Sequence, residues 1–162
     1  CCRRSHHTGS PAGESAREDQ GRESEMITLD QYVGTWSGSD DWTTERQTNA
    51  IFLLSKCGDL ETEMIADGVV FPVNPKTGSQ VSGEVYGGFR PQSCPIGAAH
   101  SNHKEGRAVD RYDPDGRIDM WCMANQPRLR EHGIFIEHPD STPGWSHWQS
   151  VPPGSGNTVF RP

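Results

Sequence analysis

Apolar side chains recur at helical spacing in the first half of the chain, downstream of Thr44. Residues three or four positions apart share one face of a helix, so this spacing predicts an amphipathic helix. Thr44 and Gln47 form a capping-box pattern at its start, and we expect Gly58 to interrupt or bend it before it ends ahead of Gly68. The positions that carry the spacing are Ala50, Leu53, Leu54, Cys57, Leu60 and Met64.

Alternating apolar and polar residues predict strands in the second half. One short strand is expected within residues 81–89, where Gly87 and Gly88 would allow a close backbone approach. Another is expected over 107–112, where Ala108 and Asp110 share one face. Residues 134–137 and 145–149 predict an antiparallel hairpin around a wide turn, which would place Glu137 next to His147.

Turn signals separate these strands from further helical sequence. Residues 113–116 (Asp-Pro-Asp-Gly) predict a turn followed by a helix cap. Residues 118–130 predict a helix in which Pro127 starts a new turn or introduces a kink. Gly133 is expected to end that helix, and Val159 and Phe160 to pack back onto the body. The pattern as a whole predicts an α+β fold, a small central antiparallel sheet with flanking helices.

Composition changes sharply at Met26. Residues 1–25 contain almost no large apolar side chain, which predicts a disordered N-terminal tail, and residues 26–162 are expected to form one domain. Met26 is a candidate natural start, so residues 1–25 are an extension in one interpretation.

Charge and cysteine content narrow the possible partners. A net charge of −7 argues against nucleic-acid binding, which needs a basic surface. Five scattered cysteines without a Cys-x-x-Cys pair predict free thiols and synthesis in a reducing compartment. Without a secretory signal or an apolar run of about 20 residues, we expect synthesis in the cytoplasm, no membrane insertion and a monomer.

Two histidines and an aspartate form the candidate metal site. His103 and Asp110 lie seven positions apart around Gly106, which permits the turn that returns the chain, and His147 lies on the predicted second strand of the hairpin. Two imidazoles and a carboxylate are a ligand set of catalytic zinc, with one position left for water. His103 and Asp110 lie in the string S-x-H-x-x-G-x-A-x-D. By average residue usage, this string occurs by chance on the order of once in a million starting positions.

This string resembles the hallmark of the zinc D-alanyl-D-alanine carboxypeptidases and L-alanyl-D-glutamate peptidases, and of the hedgehog metal site. The resemblance covers residues 87–149 and is closest to small phage-encoded members. It implies a hedgehog/DD-peptidase-like fold, Zn²⁺ as cofactor, and His103, Asp110 and His147 as its ligands. It also implies a substrate-binding or oxyanion-stabilising role for Arg90 and a substrate-binding or supporting role for Ser101. His100 is expected to line the cleft or to be exposed.

The chain departs from the family at the general base. Many members carry a glutamate three residues before the last histidine, where this chain has Gly144. Glu137 is the first candidate for the base because the hairpin brings it next to His147. Asp140, in the turn, is the second, and Glu105 the third.

The resemblance implies a metallopeptidase that hydrolyses a bacterial peptidoglycan stem peptide, at a D-Ala-D-Ala or L-Ala-D-Glu type of bond. The expected setting is phage lysis or wall entry, so the protein would act at the cell wall, in the periplasm or on the virion. The alternative is a non-catalytic zinc module for wall binding or virion structure, which Gly144 keeps open. A hedgehog-like signalling domain is a third interpretation that the cysteine usage does not favour.

Overall fold

The computed structural model describes residues 26–162, so the predicted tail of residues 1–25 lies outside the described part. Its helices are α1 (Leu29–Val33), α2 (Thr44–Ala66), α3 (Arg117–Ala124) and α4 (Gln126–His132). Its strands are β1 (Ala108–Tyr112), β2 (Phe135–Glu137), β3 (Trp145–Gln149) and β4 (Val159–Phe160). Short 3-10 turns occupy Gly34–Trp36 and Pro139–Ser141.

The four strands form one sheet in the order β1-β3-β2-β4. β3 pairs antiparallel with both β1 and β2, whereas β4 runs parallel to β2. The α+β class is therefore confirmed, but the sheet is mixed rather than wholly antiparallel. Val159 and Phe160 pack back onto the body as expected, but they do so as an unpredicted strand that runs parallel to β2.

The hydrophobic core lies between α2 and one face of the sheet. The buried side of α2 meets buried apolar side chains of β1, β2 and β3, namely Val109, Ile136 and Trp148. The helical spacing predicted this side correctly: Ala50, Leu53, Cys57, Leu60 and Met64 are at most 1% exposed. The opposite face of the sheet is thereby left for polar side chains, including Asp110 and His147.

The start and the continuity of α2 differ from prediction. Thr43 rather than Thr44 caps the helix, because its backbone is extended and its hydroxyl accepts the N–H of Arg46 at 3.4 Å. Gly58 does not interrupt the helix. A Cβ at Gly58 would lie 2.5 Å from the sulfur of Met26, so the glycine makes room for that side chain.

The predicted strand over residues 81–89 was wrong. Only Val81 bridges to β1, opposite Arg111, and Gly83 then turns the chain with φ 72°. The segment nevertheless returns to β1, where the Asp110 N–H donates to the Gly87 carbonyl at 2.7 Å. Close backbone approach at the two glycines is confirmed, since a Cβ at Gly88 would overlap the Tyr32 carbonyl oxygen.

The predicted helix over residues 118–130 is two helices. The break falls at Asn125, and Pro127 occupies the first turn of α4, where its missing N–H costs nothing. Asp113 caps α3 as the turn prediction required, accepting the N–H groups of Ile118 and Asp119 at 3.1 and 3.0 Å. Gly133 ends α4 in the left-handed conformation, with φ 63°.

Candidate metal centre

The pairing of β1 with β3 places Asp110 directly opposite His147. Side chains opposite each other on one face of an antiparallel pair lie close together. Asp110 Oδ1 and His147 Nδ1 are accordingly 2.8 Å apart.

His103 reaches the same point from the tight loop that precedes β1. The Arg107 N–H donates to the Asn102 carbonyl at 2.8 Å and closes the loop. Gly106 has φ 72°, and a Cβ there would lie 2.4 Å from the Arg46 carbonyl oxygen, so the turn requires glycine. His103 Nε2 consequently lies 3.2 Å from Asp110 Oδ1 and 3.3 Å from His147 Nδ1.

The three residues form a compact, buried group of donor atoms. His103, Asp110 and His147 are 2%, 7% and 7% exposed. Among the histidine, cysteine and acidic residues of 26–162, these three have side chains close enough together to hold a metal ion. The sequence prediction that these three side chains converge is confirmed.

Hydrogen bonds at the far side of each ring fix which nitrogen faces the group. His103 Nδ1 lies 2.7 Å from the Gly88 carbonyl oxygen, which can only accept, so Nδ1 carries the hydrogen. His147 Nε2 lies 3.3 Å from Gln149 Oε1, also an acceptor. With a cation at the centre, the neutral rings would therefore direct the lone pairs of His103 Nε2 and His147 Nδ1 at it. Without one, the 2.8 Å contact with the Asp110 carboxylate, which can only accept, is bridged by a hydrogen on His147 Nδ1.

Three lone-pair-bearing atoms this close repel one another unless a proton or a cation lies among them. Their mutual distances of 2.8, 3.2 and 3.3 Å approximate the edges, about 3.3 Å, of a tetrahedron around zinc. One face of such a tetrahedron is thus in place. The group can bind a metal ion through three protein atoms and leave a fourth position open.

Burial and mutual attraction shift the pKa values of the three groups in different directions. Burial lowers the pKa of His103 and outweighs the opposing effect of Asp110. Burial also disfavours the charged form of His147, but its bond to Asp110 and the carboxylate charge prevail and raise its pKa. Burial would raise the pKa of Asp110, yet the two histidines hold it well below its usual range. The carboxylate is therefore ionised and ready to bind a cation.

Arg90 supports the group from the side of the second carboxylate oxygen. Its Nη2 donates to Asp110 Oδ2 at 2.8 Å, and its Nε donates to the Tyr86 carbonyl at 2.5 Å. Arg90 is 9% exposed, and its Nη1 has no hydrogen-bond partner among residues 26–162. The sequence prediction named Arg90 as part of the site, and the structure places it in contact with a candidate ligand.

Glu137 lies next to His147, as the hairpin prediction required. The pairing of Ile136 with Trp148 makes Glu137 and His147 neighbours across β2 and β3. Glu137 Oε1 is 4.0 Å from His147 Nε2, and its side chain is 20% exposed. The carboxylate is near the group without touching it.

The other two candidate bases are engaged elsewhere. Asp140 lies in the turn between β2 and β3, 69% exposed, and pairs with Arg161 at 2.8 Å. The bond to Arg161 and the charge of His138 lower the pKa of Asp140, which opposes proton uptake. Glu105 pairs with Arg46 at 3.5 Å and accepts from Gln92 at 2.9 Å.

Ser101 and Arg90 come together beside Gly97. A Cβ at Gly97 would lie 3.2 Å from Arg90 Nη1 and 3.4 Å from Ser101 Oγ, so both polar atoms border the space that glycine leaves open. His100 is exposed on the adjoining turn. The three predicted substrate-binding residues thus lie in or beside one loop region.

Gly144 occupies the position of the expected glutamate. Its φ of 91° is a conformation that favours glycine, and no atom lies within 4 Å of a Cβ built there. The backbone at this turn therefore explains the glycine.

Sequence reasoning missed the two groups that orient the imidazoles, Gly88 through its carbonyl and Gln149 through its side chain. Gly88 was predicted only to allow a close backbone approach. Gln149 follows His147 by two residues on the same strand face, and this spacing could have identified Gln149 as a partner of the imidazole.

No protein-family model matches this chain, and no curated protein and no solved structure was found to match it. Among the helices of residues 26–162, none has the length and apolar character needed to cross a membrane.

Proposed function

We propose that this protein is a zinc metallopeptidase that hydrolyses a peptide bond in bacterial peptidoglycan stem peptides. The observation that carries the proposal is the convergence of His103 Nε2, Asp110 Oδ1 and His147 Nδ1 within 3.3 Å. These atoms come from the hallmark string and the Trp-x-His segment whose resemblance implied the activity. A hedgehog/DD-peptidase-like fold belongs to the same proposal.

His103, Asp110 and His147 would hold the ion, with the open position facing water or substrate. When bound, zinc polarises a carbonyl and lowers the pKa of a bound water to about 7. With the ion bound, both histidines would be neutral and Asp110 ionised, a ligand set with a net single negative charge. That leaves a net positive charge at a divalent ion, as Lewis-acid chemistry requires.

Glu137 is the proposed proton acceptor and donor. It shares a sheet face with His147, its side chain is 20% exposed, and among residues 26–162 no arginine pairs with its carboxylate. A carboxylate so placed can take a proton from the attacking water and pass it to the leaving amine. Glu137 thereby replaces, from the neighbouring strand, the glutamate that Gly144 cannot provide.

Arg90 is the proposed oxyanion stabiliser. Two of its donor atoms are fixed by Asp110 and Tyr86, so the guanidinium is held rigidly beside the candidate ligands. Its Nη1, which has no hydrogen-bond partner in the described range 26–162, and the Ser101 hydroxyl border the space at Gly97. A preorganised cation at a developing negative charge is among the most effective catalytic devices, and substrate binding by Ser101 and His100 belongs to this proposal.

The proposed substrate is a stem peptide cut at a D-Ala-D-Ala or L-Ala-D-Glu type of bond. The proposed setting is phage-encoded wall degradation, with synthesis in the host cytoplasm and action at the wall, in the periplasm or on the virion. A monomer suffices, because all proposed catalytic groups come from one chain.

One observation favours a second function, a non-catalytic zinc module that binds wall or supports a virion. The position of the expected glutamate holds Gly144, and Glu137 Oε1 lies 4.0 Å from the far nitrogen of His147 rather than in contact with the three donor atoms. In that case zinc would serve structure or recognition alone.

Glu137→Gln separates the two functions. Purified protein is incubated with peptidoglycan, with and without a chelator, and the products are identified by mass. The peptidase proposal expects zinc-dependent release of D-alanine or of new stem-peptide ends, and a loss of about 10²- to 10⁴-fold in E137Q with zinc retained. Glu84→Gln, an exposed substitution in a pair with Lys76, is the control and should hydrolyse at the wild-type rate. Zinc binding without product from several wall types would establish the module instead.

A further inference from the structure

Gln149 is the polar side chain that contacts His147 on the side away from the three converging atoms. It follows His147 by two residues on β3, so both side chains project from the same face of the sheet. Gln149 is 5% exposed, and a buried amide of this kind must satisfy its donors and acceptors within the protein.

Its amide has one possible orientation. Gln149 Nε2 donates to the Val151 carbonyl at 2.6 Å, and a carbonyl oxygen can only accept. Gln149 Oε1 therefore faces the other way, where it accepts from Asn102 Nδ2 at 2.9 Å. If the amide were flipped, its oxygen would face the Val151 carbonyl oxygen, and its NH₂ group would face the NH₂ group of Asn102.

This fixed oxygen offers His147 Nε2 an acceptor on the side away from the three converging atoms. Gln149 Oε1 lies 3.3 Å from Nε2, and once a cation takes the Nδ1 lone pair, Nε2 must carry the hydrogen of the neutral ring and can donate it to Gln149. Glu137, at 4.0 Å from the same nitrogen, is beyond hydrogen-bond distance. The ring is thus oriented by an uncharged amide, and the Glu137 carboxylate is not used for that purpose.

We infer that Gln149, held by Asn102 and the Val151 carbonyl, is a positioning residue that makes His147 bind the metal through Nδ1 and leaves Glu137 free for proton transfer. Asn102 links this role to the loop of His103, because its backbone carbonyl also accepts the N–H of Arg107. The inference rests on the proposed metal centre and adds to it the groups that preorganise one ligand.

The test is zinc affinity, measured by competition with a chromophoric chelator on the full chain. Gln149→Leu removes the acceptor at similar volume and should weaken zinc binding about 10- to 100-fold, the usual effect of losing an outer partner of a histidine ligand. Asn102→Ala should weaken it less, because Val151 still holds the amide. Gln126→Leu is the matched control. The Gln126 amide lies on α4 and donates to the Met123 carbonyl at 3.4 Å, so the zinc affinity of this variant should stay within about twofold of wild type.

A second measurement needs no variant. In the zinc-loaded wild type labelled with ¹⁵N histidine, the ring shifts of His147 should report metal at Nδ1 and hydrogen at Nε2. Zinc at Nε2, or a Q149L affinity equal to that of Q126L, would overturn the inference while leaving the metal centre intact. A wild type that binds no zinc would overturn the proposed function and this inference together. If Q149L does not fold, the ¹⁵N result decides.

Discussion

Asp110 and His147 face each other across β1 and β3, with Asp110 Oδ1 2.8 Å from His147 Nδ1. The register of two five-residue strands therefore sets one edge of the candidate metal centre. A slip of β3 by one residue would move His147 to the opposite face of the sheet and leave Asp110 behind. The stability of this pairing and the geometry of the site are consequently linked.

The first prediction concerns the buried ion pair that joins α2 to β1. Arg111, next to Asp110, is fully buried, donates to Glu61 and Gln80, and lies between the rings of Phe71 and Trp148. Glu61→Leu should lower the free energy of unfolding by about 3–5 kcal/mol, because it leaves the arginine charge buried with the neutral Gln80 as its remaining partner.

Urea unfolding measures this effect, with the exposed pair of Lys76 and Glu84 as the control. These side chains are 71% and 59% exposed, so Glu84→Ala should cost less than about 1 kcal/mol. Equal effects of the two substitutions would show that the buried pair does not anchor β1.

The second prediction concerns Gly88, whose carbonyl orients His103. A Cβ there would overlap the Tyr32 carbonyl oxygen, so Gly88→Ala must displace the backbone. We expect a loss of about 1–3 kcal/mol in the free energy of unfolding, together with weaker zinc binding. Gly154→Ala, where nothing lies within 4 Å of the added Cβ, should change neither quantity. Unaltered zinc affinity in G88A would mean that this carbonyl is not needed to orient His103.

The third prediction concerns Arg90. Lysine cannot bond both Asp110 Oδ2 and the Tyr86 carbonyl while presenting a further donor to substrate. Arg90→Lys should therefore lower kcat/KM for stem-peptide hydrolysis about 10²- to 10³-fold while one zinc ion remains bound. Arg117→Lys alters an exposed pair with Asp115 and should behave as wild type. Full activity in R90K would remove Arg90 from the mechanism.

The fourth prediction is a pH dependence of stability at Asp119, on the core side of β3. Asp119 is 5% exposed, and its Oδ1 has no hydrogen-bond partner within the described part of the chain. Burial, aided by the charge of Asp113 and opposed by a hydrogen bond from Ser146, raises the pKa of Asp119 from 3.8 to about 6.

Because this folded-state pKa is raised, the native protein binds the extra proton between about pH 4 and pH 6. The stabilisation that protonated Asp119 gives the folded state is fully present below pH 4. It is lost as the pH rises to 6, which lowers the free energy of unfolding by no more than about 3 kcal/mol. Asp119→Asn should flatten that part of the profile of urea midpoint against pH. A wild-type profile that rises steadily through the same interval, unchanged in D119N, would contradict the assignment.

The sequence was sufficient to predict which three side chains converge at the candidate metal centre, because local signals specify them. His103 and Asp110 belong to one short string, and the alternation of residues 134–137 and 145–149 indicated the hairpin that brings Glu137 to His147. Most of the core side of α2 was equally predictable, since five of its seven buried positions follow the predicted helical spacing.

What the sequence could not provide depends on contacts between distant segments. The Gly88 carbonyl reaches His103 only because the chain returns to β1 after Gly83, in a segment expected to be a strand. Adjacent threonines at 43 and 44 are equal capping candidates until the backbone is known. The five residues of α1 are too few to show periodicity, although Thr28 and Gln31 form a capping box at its start.

Zinc titration of the metal-free full chain tests most directly whether His103, Asp110 and His147 form a metal centre. We predict one equivalent of zinc in the wild type, none in His103→Ala, and one in His132→Ala, since His132 lies on α4 and bonds Glu63 at 2.9 Å. A wild type that binds no zinc, or an H103A variant that binds it as tightly as H132A, would contradict the metal centre and the function proposed from it.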